Sequence, residues 1–391
     1  MRASPAKQIL LFGETGISRR QFVRCLGTAL CSFCLGPILR PGNRAEAQIV
    51  KRGGFKMKVS PYFSNLKGRE ILCQLCPKQC RLRDGDRGFC RVRMNRGGTG
   101  YTLAYGNPCV VHLDPIERQP LFHVLPSSQS LSLTTAGCNF HCMFCQNWEF
   151  ALASPEHVYS YDMPPELVLK KGKQMNARAV AYTYGEPTVF FEYMLDVAAG
   201  ATEGGLLNVL HSNGFISHRP LRELIDYLDA ANIDLKAFRQ SFYEELCAGK
   251  LQPVLETLKI LKHSNIHLEI TNLVIPTKND DMVTIREMCT WITGELGKDT
   301  PVHFLRFYPL YRLSGLPPTP VATLEGARDI ALSCGLEYVY IGNVPGHKAW
   351  NTFCPRCGRL VIERIGYMIG EINLKGGKCR FCGNPIPGIW D

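Results

Sequence analysis

Ala136-Gly137-Cys138-Asn139-Phe140-His141-Cys142-Met143-Phe144-Cys145-Gln146-Asn147-Trp148 decides how this chain of 391 residues is read. Three residues separate Cys138 from Cys142, and two separate Cys142 from Cys145. A short loop with this spacing turns three thiolates onto one centre. Three cysteines hold three irons of a 4Fe–4S cube and leave the fourth iron without a protein ligand. An open iron binds and activates a small molecule, whereas a fully ligated cube mainly carries electrons. The competing reading is a zinc knuckle with His141 as fourth ligand. It is disfavoured because His141 adjoins Cys142 and would strain a tetrahedral site.

Outside this loop the composition sets bounds. A hydrophobic share of 45% suits a globular core. The net charge of +11 is uneven: residues 1–47 carry seven Lys/Arg against two Asp/Glu, which leaves +6 for the rest. A mildly basic body gives little reason to invoke nucleic acid. Most of the eighteen cysteines beyond Cys25, Cys31 and Cys34 fall in tight clusters, which read as metal sites, not as a disulfide framework. The ungrouped Cys109, Cys247, Cys289 and Cys334 are expected to be small buried hydrophobes.

Residues 1–47 have the form of a twin-arginine signal peptide. Ser18-Arg19-Arg20-Gln21-Phe22-Val23-Arg24 leads into an apolar stretch that ends near Leu39, and Ala45-Glu46-Ala47 suits cleavage. The stretch is too short and interrupted for a lasting membrane span. The expectation is export of a folded, cofactor-loaded protein to the periplasm. The alternative is translation from Met57 and a cytoplasmic protein.

Residues 58–125 form a Cys-rich N-terminal segment with little helical periodicity. From Ser128 apolar runs alternate with amphipathic stretches. Strands are expected at Leu131–Thr135, Ala179–Tyr184, Leu207–His211, Ala231–Leu235, His267–Ile275, Val302–Phe307 and Tyr338–Ile341. Helices are expected at Pro165–Met175, Val189–Ala199, Pro220–Leu228, Phe242–Lys262, Met282–Leu296 and Leu324–Cys334. This alternation predicts an α/β fold, a parallel sheet wound as a partial or complete (β/α) barrel over residues 128–345. Residues 346–391 form a separate Cys-rich, zinc-ribbon-like tail.

The motifs stand where the expected strands end, the active face of such barrels. Tyr182-Thr183-Tyr184-Gly185-Glu186-Pro187 follows the second strand, His211-Ser212-Asn213-Gly214 the third and Asp234-Leu235-Lys236 the fourth. A strand-to-helix turn explains Asn213-Gly214, and surface solvation explains Lys236, when each is taken alone. Their recurrence at successive strand ends favours a site. Arg306 or Tyr308 is expected to face a ligand, and Gly342-Asn343 to pack near one. In the tail, Cys354, Cys357, Cys379 and Cys382 form two C-x2-C-G knuckles 21 residues apart, a four-thiolate site for zinc or iron. Cys73, Cys76, Cys80 and Cys90 place four thiols in eighteen residues, a second metal site for zinc or an iron–sulfur cluster.

The Cys138–Cys145 loop resembles the signature of radical S-adenosylmethionine (SAM) enzymes. Residues 69 to 391 as a whole resemble the AmmeMemoRadiSam system radical SAM enzyme, a pyruvate formate-lyase activating enzyme-like family. The resemblance spans Cys73–Cys90, Asp114-Pro115-Ile116-Glu117-Arg118-Gln119-Pro120-Leu121-Phe122-His123, the cluster loop, Tyr182–Pro187, Asp234–Lys236, Pro317–Val321 and the tail knuckles. It implies that Tyr184, Gly185 and Glu186 hold the SAM amino group, with Tyr184 replacing the first glycine of a Gly-Gly-Glu motif. It implies that Ser212, Asn213, Asp234 and Lys236 contact SAM near a cation site, which His211, standing in for an aspartate, puts in doubt. It implies that Asp114–His123 lines the substrate side. The implied partners are Memo and AMMECR-type proteins, and an electron donor such as ferredoxin or flavodoxin. The expected activity is reductive cleavage of SAM to a 5′-deoxyadenosyl radical that takes hydrogen from an unidentified small-molecule or protein substrate. The rivals are an activator that installs a glycyl radical on a partner, and a metal-binding scaffold without SAM turnover.

Overall fold

The computed structural model describes residues 50–391. The twin-arginine run and Cys25, Cys31 and Cys34 lie outside the described residues. No helix among the described residues is long and apolar enough to cross a membrane.

Eight strands form the main sheet: β1 (Val110–Pro115), β2 (Gln129–Thr134), β3 (Ala179–Tyr182), β4 (Leu207–Ser212), β5 (Ala230–Asp234), β6 (His267–Val274), β7 (Val302–Arg306) and β8 (Val339–Gly342). Their order in the sheet is their order in the chain. β2 to β8 run parallel, each pair joined by a helical crossover. Among the described residues β1 and β8 do not pair, so the barrel is partial. β1 runs antiparallel to β2, which departs from the all-parallel expectation. Its residues sit in the segment read as Cys-rich and aperiodic.

The helices are α1 (Pro165–Gln174), α2 (Phe191–Glu203), α3 (His218–Ile225), α4 (Gln252–Lys262), α5 (Met282–Leu296) and α6 (Val321–Ser333). Two expected helices differ. The stretch at Val189–Ala199 opens as a 3-10 turn, Pro187–Phe190, before α2 begins. Phe242–Lys262 is broken: a π turn (Tyr243–Cys247) ends at Ala248 in the left-handed region, and α4 starts afresh with Pro253 in its first turn. Gly249 in that break lies against Phe140, where a Cβ would approach the ring to 2.2 Å. The break therefore gives the cluster loop room.

β3 is buried along its whole length, as strands covered on both faces are. Val180 and Tyr182 join the main core. Ala179 and Ala181, with Val209 and Ala230, pack against Ile116, Leu121, Val124 and Leu125. Small residues on the concave face thus leave space for segment 116–125 to cross it. Burying Ile116, Leu121 and Val124 contributes about 1.5–3 kcal/mol each. Polar contacts set the segment's course. Gln119 Nε2 donates to Ser132 Oγ (2.9 Å), Asn232 Nδ2 to the Pro120 carbonyl (2.7 Å), and the His123 amide to Glu269 Oε1 (2.8 Å).

The tail carries strands β9 (Leu360–Ile365) and β10 (Met368–Ile372) and closes over this segment. Buried Arg364 donates to the carbonyls of Phe122 (2.5 Å) and Trp350 (3.1 Å) and stacks on the Phe122 ring. The Ile389 amide donates to the His123 carbonyl (2.8 Å), and the Leu125 amide to the Ile389 carbonyl (2.7 Å). At the N-terminal side a buried ion pair joins Arg93 to Glu192 of α2 through two contacts, 2.6 and 2.8 Å.

Candidate active site

One cavity of about 380 Å³ opens at the C-terminal ends of the strands. Cys138, Cys142 and Cys145 line it together, from the loop after β2. His141 does not share that lining. Its ring stacks on Phe89 at 3.9 Å, and it borders another cavity with Arg91 and Trp148. The zinc-knuckle reading thereby loses its fourth ligand. Burial pushes the Cys138 thiol well up, helped by the charge of Glu186, and pushes the Cys145 thiol up to about 11. Cys142 goes the other way: the neighbouring Cys247 thiol and the charge of Lys236 outweigh burial. Cys247 is buried as expected, but it serves this site. Cys289 is also buried, whereas Cys109 and Cys334 are half-buried, against expectation, at the edge strand and on a helix end.

Every SAM-contact residue expected from the sequence lines this cavity: Tyr184, Gly185, Glu186, Ser212, Asn213, Asp234 and Lys236. Their geometry refines the roles. The Glu186 carboxylate is spent on the protein: Oε1 accepts the Thr188 amide (3.0 Å) and Ser212 Oγ (2.8 Å), and Oε2 the Asn213 amide (2.9 Å). Gly185 is required, because a Cβ there would lie 2.5 Å from Thr134 Oγ1. Tyr184 adopts φ 63°, a conformation glycine takes without strain. Its tyrosine is anchored instead: the hydroxyl donates to Asp114 of β1, and Asn147 Nδ2 donates to its carbonyl (2.6 Å).

Asp234 sits between His211 (3.0 Å) and the Lys236 ammonium (2.9 Å). Burial raises the Asp234 carboxyl, but these two partners outweigh it and hold it well below the usual carboxylate range. Burial alone would lower Lys236; Asp234 with the nearby Cys142 and Cys247 sulfurs keeps it well above its ordinary value. The acid is thus already matched by the protein's own groups. Gly342 and Asn343 line the cavity, but Arg306 and Tyr308 do not. Arg306 Nε donates to the Thr319 carbonyl (2.8 Å) and Tyr308 to the Asn343 carbonyl (3.1 Å), which turns both outward.

Residues that the motifs did not single out complete the far end. Glu117, Arg118, Phe122, His303, Trp350 and Tyr367 line the same cavity. Glu117 Oε2, Thr271 Oγ1 and Trp350 Nε1 are buried there without a partner, a costly condition unless a bound group meets them. The resemblance flagged the Asp114–His123 stretch, but no signal in the tail marked Trp350 or Tyr367.

The four tail thiols lie within 4.8 Å of one another, with Cys354 and Cys382 3.6 Å and Cys357 and Cys379 3.8 Å apart. Burial pushes the Cys354 thiol up to about 12, while the Phe381 and Cys382 amides overcome burial and bring Cys379 down to about 7. Four thiols at this spacing fit a metal site. Cys73, Cys76, Cys80 and Cys90 line one chamber of their own.

A consecutive parallel half-barrel, three thiols at its first loop and strand-end polar groups around one cavity are the parts of a radical SAM fold. Residues 132–289 match the Radical SAM superfamily model, and the protein is a radical SAM enzyme. The chain belongs to the same family as the uncharacterized protein MJ0808 of Methanocaldococcus jannaschii, to which it is 42% identical over 332 residues, 84% of this chain and 99% of that one. It is also similar to the (2S)-3-sulfopropanediol dehydratase activating enzyme of Klebsiella oxytoca, 25% identical over 143 residues, 35% of this chain and 45% of that one. Among solved structures, Streptococcus suis SuiB bound to S-adenosylmethionine has a TM-score of 0.46 at 12% identity, over 62% of this chain and 56% of that one.

The residues present fit the cluster and SAM that this superfamily uses. Cys138, Cys142 and Cys145 line the cavity together, and Glu117, Thr271 and Trp350 bring buried polar atoms without partners to the same lining.

Proposed function

We propose that the chain is the radical SAM enzyme of an AmmeMemoRadiSam-type system and acts on a group held between the cluster loop and the floor made by Glu117, Phe122 and Trp350. One observation carries this reading: the three thiols and that floor line the same cavity. When bound, the cluster and SAM supply a 5′-deoxyadenosyl radical that takes a hydrogen atom from the substrate.

The protein's own part is orientation and exclusion of water. Cys138, Cys142 and Cys145 hold the cluster. Glu186 ties the ends of β3 and β4, so the Thr183–Gly185 and Ser212–Asn213 backbones present fixed amides and carbonyls to SAM. Lys236, kept charged by Asp234, offers its ammonium beside Cys142. Phe122 and Trp350 close the floor with apolar surface, and Glu117, Thr271 and Trp350 offer hydrogen bonds to the substrate. A protein donor of the ferredoxin or flavodoxin type supplies electrons, and the resemblance adds Memo and AMMECR-type proteins as partners. Zinc in the tail accounts for its spacing: Zn–S bonds of about 2.3 Å in a tetrahedron put sulfurs about 3.8 Å apart.

The test uses anaerobically reconstituted protein, dithionite and SAM, with 5′-deoxyadenosine read by chromatography. Wild type should form it and Cys142→Ala should not. If an intact reduced cluster yields none in wild type, even with candidate partners added, the scaffold reading replaces this one. A second reading, activation of a glycyl radical protein, draws on the similarity to an activating enzyme. It predicts a glycyl radical signal in electron paramagnetic resonance when a partner glycyl radical enzyme is added.

A further inference from the structure

We infer that Cys73, Cys76, Cys80 and Cys90 hold a second iron–sulfur cluster that relays electrons to the radical site. The relay rests on the radical SAM reading; the cluster itself does not.

The four thiols line one enclosed chamber, walled by Leu75, Phe89 and Val189. The Phe89 amide donates to Cys80 Sγ at 3.5 Å. An amide aimed at sulfur stabilises the thiolate and tunes a cluster. Spacing separates the metals. Among the described residues, the tail quartet alone brings three or more ligand atoms within 4.8 Å of one another. The N-terminal quartet converges on one chamber but spreads wider. A single zinc draws its thiolates to the tail's spacing. A cluster holds them farther apart, because irons and sulfides lie between them.

The chamber adjoins the radical site. Asn139, next to Cys138 in sequence, forms part of its wall. Gly137 lets the two loops meet, since a Cβ there would lie 2.7 Å from the Cys90 carbonyl oxygen. Phe89 stacks on His141 at 3.9 Å, and the Lys78 ammonium lies 4.0 Å from the Phe89 ring centre. The two loops thus meet at Gly137 and Asn139, and the electron crosses between the thiol sets there. The step is a one-electron transfer. A ferredoxin- or flavodoxin-class donor is oxidised and the N-terminal cluster reduced; that cluster is reoxidised as the cluster on Cys138, Cys142 and Cys145 is reduced. No atom or proton moves.

The test begins with the Cys138→Ala/Cys142→Ala/Cys145→Ala variant, reconstituted anaerobically with iron and sulfide and assayed without SAM. The expected result is iron and acid-labile sulfide in equal amounts, about two to four of each per chain, with a reducible low-temperature paramagnetic signal. Adding Cys76→Ser should abolish both. Zinc without labile sulfide, or no metal beyond the tail's, overturns the cluster. Should the triple variant not fold, wild type against Cys76→Ser gives the same difference in iron and sulfide. The relay is tested with Cys76→Ser/Cys80→Ser in the otherwise native chain. Formation of 5′-deoxyadenosine driven by reduced flavodoxin should fall at least tenfold, while that driven by dithionite persists. Equal rates with flavodoxin for the variant and wild type overturn the relay. Absence of 5′-deoxyadenosine from wild type with either reductant overturns the radical SAM reading instead and leaves the iron and sulfide count standing.

Discussion

Glu186 Oε2 accepts the backbone amide of Asn213 at 2.9 Å, so one buried acid ties the loop after β3 to the loop after β4. Glu186→Gln places an NH2 group against that amide or against Ser212 and Thr188, leaving a buried donor unmet. The expected loss is about 1–3 kcal/mol of stability, with SAM affinity about tenfold weaker. Urea unfolding and calorimetric titration with SAM check this. Unchanged affinity would show that the acid does not shape the SAM loops.

The Arg93–Glu192 pair anchors the N-terminal segment to α2. Arg93→Met strands the carboxylate and should cost about 3–5 kcal/mol, whereas Arg93→Met/Glu192→Met should recover most of that loss. Denaturation midpoints of the cycle decide it. A double variant as unstable as the single one would mean that packing, not charge, holds the segment.

His123 is buried between two partners. Nδ1 lies 2.6 Å from the Pro387 carbonyl and Nε2 2.6 Å from Tyr340 Oη. A neutral ring satisfies both by donating from Nδ1 and accepting at Nε2. Burial pushes its pKa down to about 3, against the pull of nearby Glu269. An unfolded histidine titrates near about 6.5, so between these values the unfolded chain binds the extra proton and stability falls as pH falls. Glu269, held well below its ordinary value by His267 and His303 despite burial, adds a loss of the same sign at lower pH. Melting temperature should drop steadily from pH 6.5 to 4. His123→Gln should melt lower at pH 7 but with a shallower slope. Equal slopes would remove His123 as the source.

The buried Cys247 thiol neighbours the Cys142 sulfur, in reach to donate to it. Hydrogen bonds to cluster sulfurs raise reduction potentials. Loss of a bond of about 1 kcal/mol in Cys247→Ala should lower the potential of the three-thiol cluster by about 40 mV. Spectroelectrochemical titration measures it, and an unshifted potential refutes the coupling.

The features read correctly from the sequence are those with local causes. α5 was expected at Met282–Leu296 and is found there, because Asp281 caps the Thr284 amide (2.9 Å) and Gly297 at φ 91° ends the helix. The cluster loop is legible because its spacing is complete within eight residues. β1 escaped because its pairing with β2, not its own periodicity, makes it a strand. The break before α4 left signals that were available, Gly249 and Pro253. The anchoring of Tyr184 by Asp114 and the reach of Arg364 to Phe122, 242 residues away, arise only when distant segments fold together. The floor of the site belongs to that class.

The contacts of Ile389 with His123 and Leu125 also set an order of events during synthesis. Strands β1 to β8 can pair as they leave the ribosome, but the bottom of the chamber stays unfastened until residues 387–389 have emerged. A chain cut before residue 387 would therefore keep Cys138, Cys142 and Cys145 and lose both backbone bonds that fasten segment 123–125.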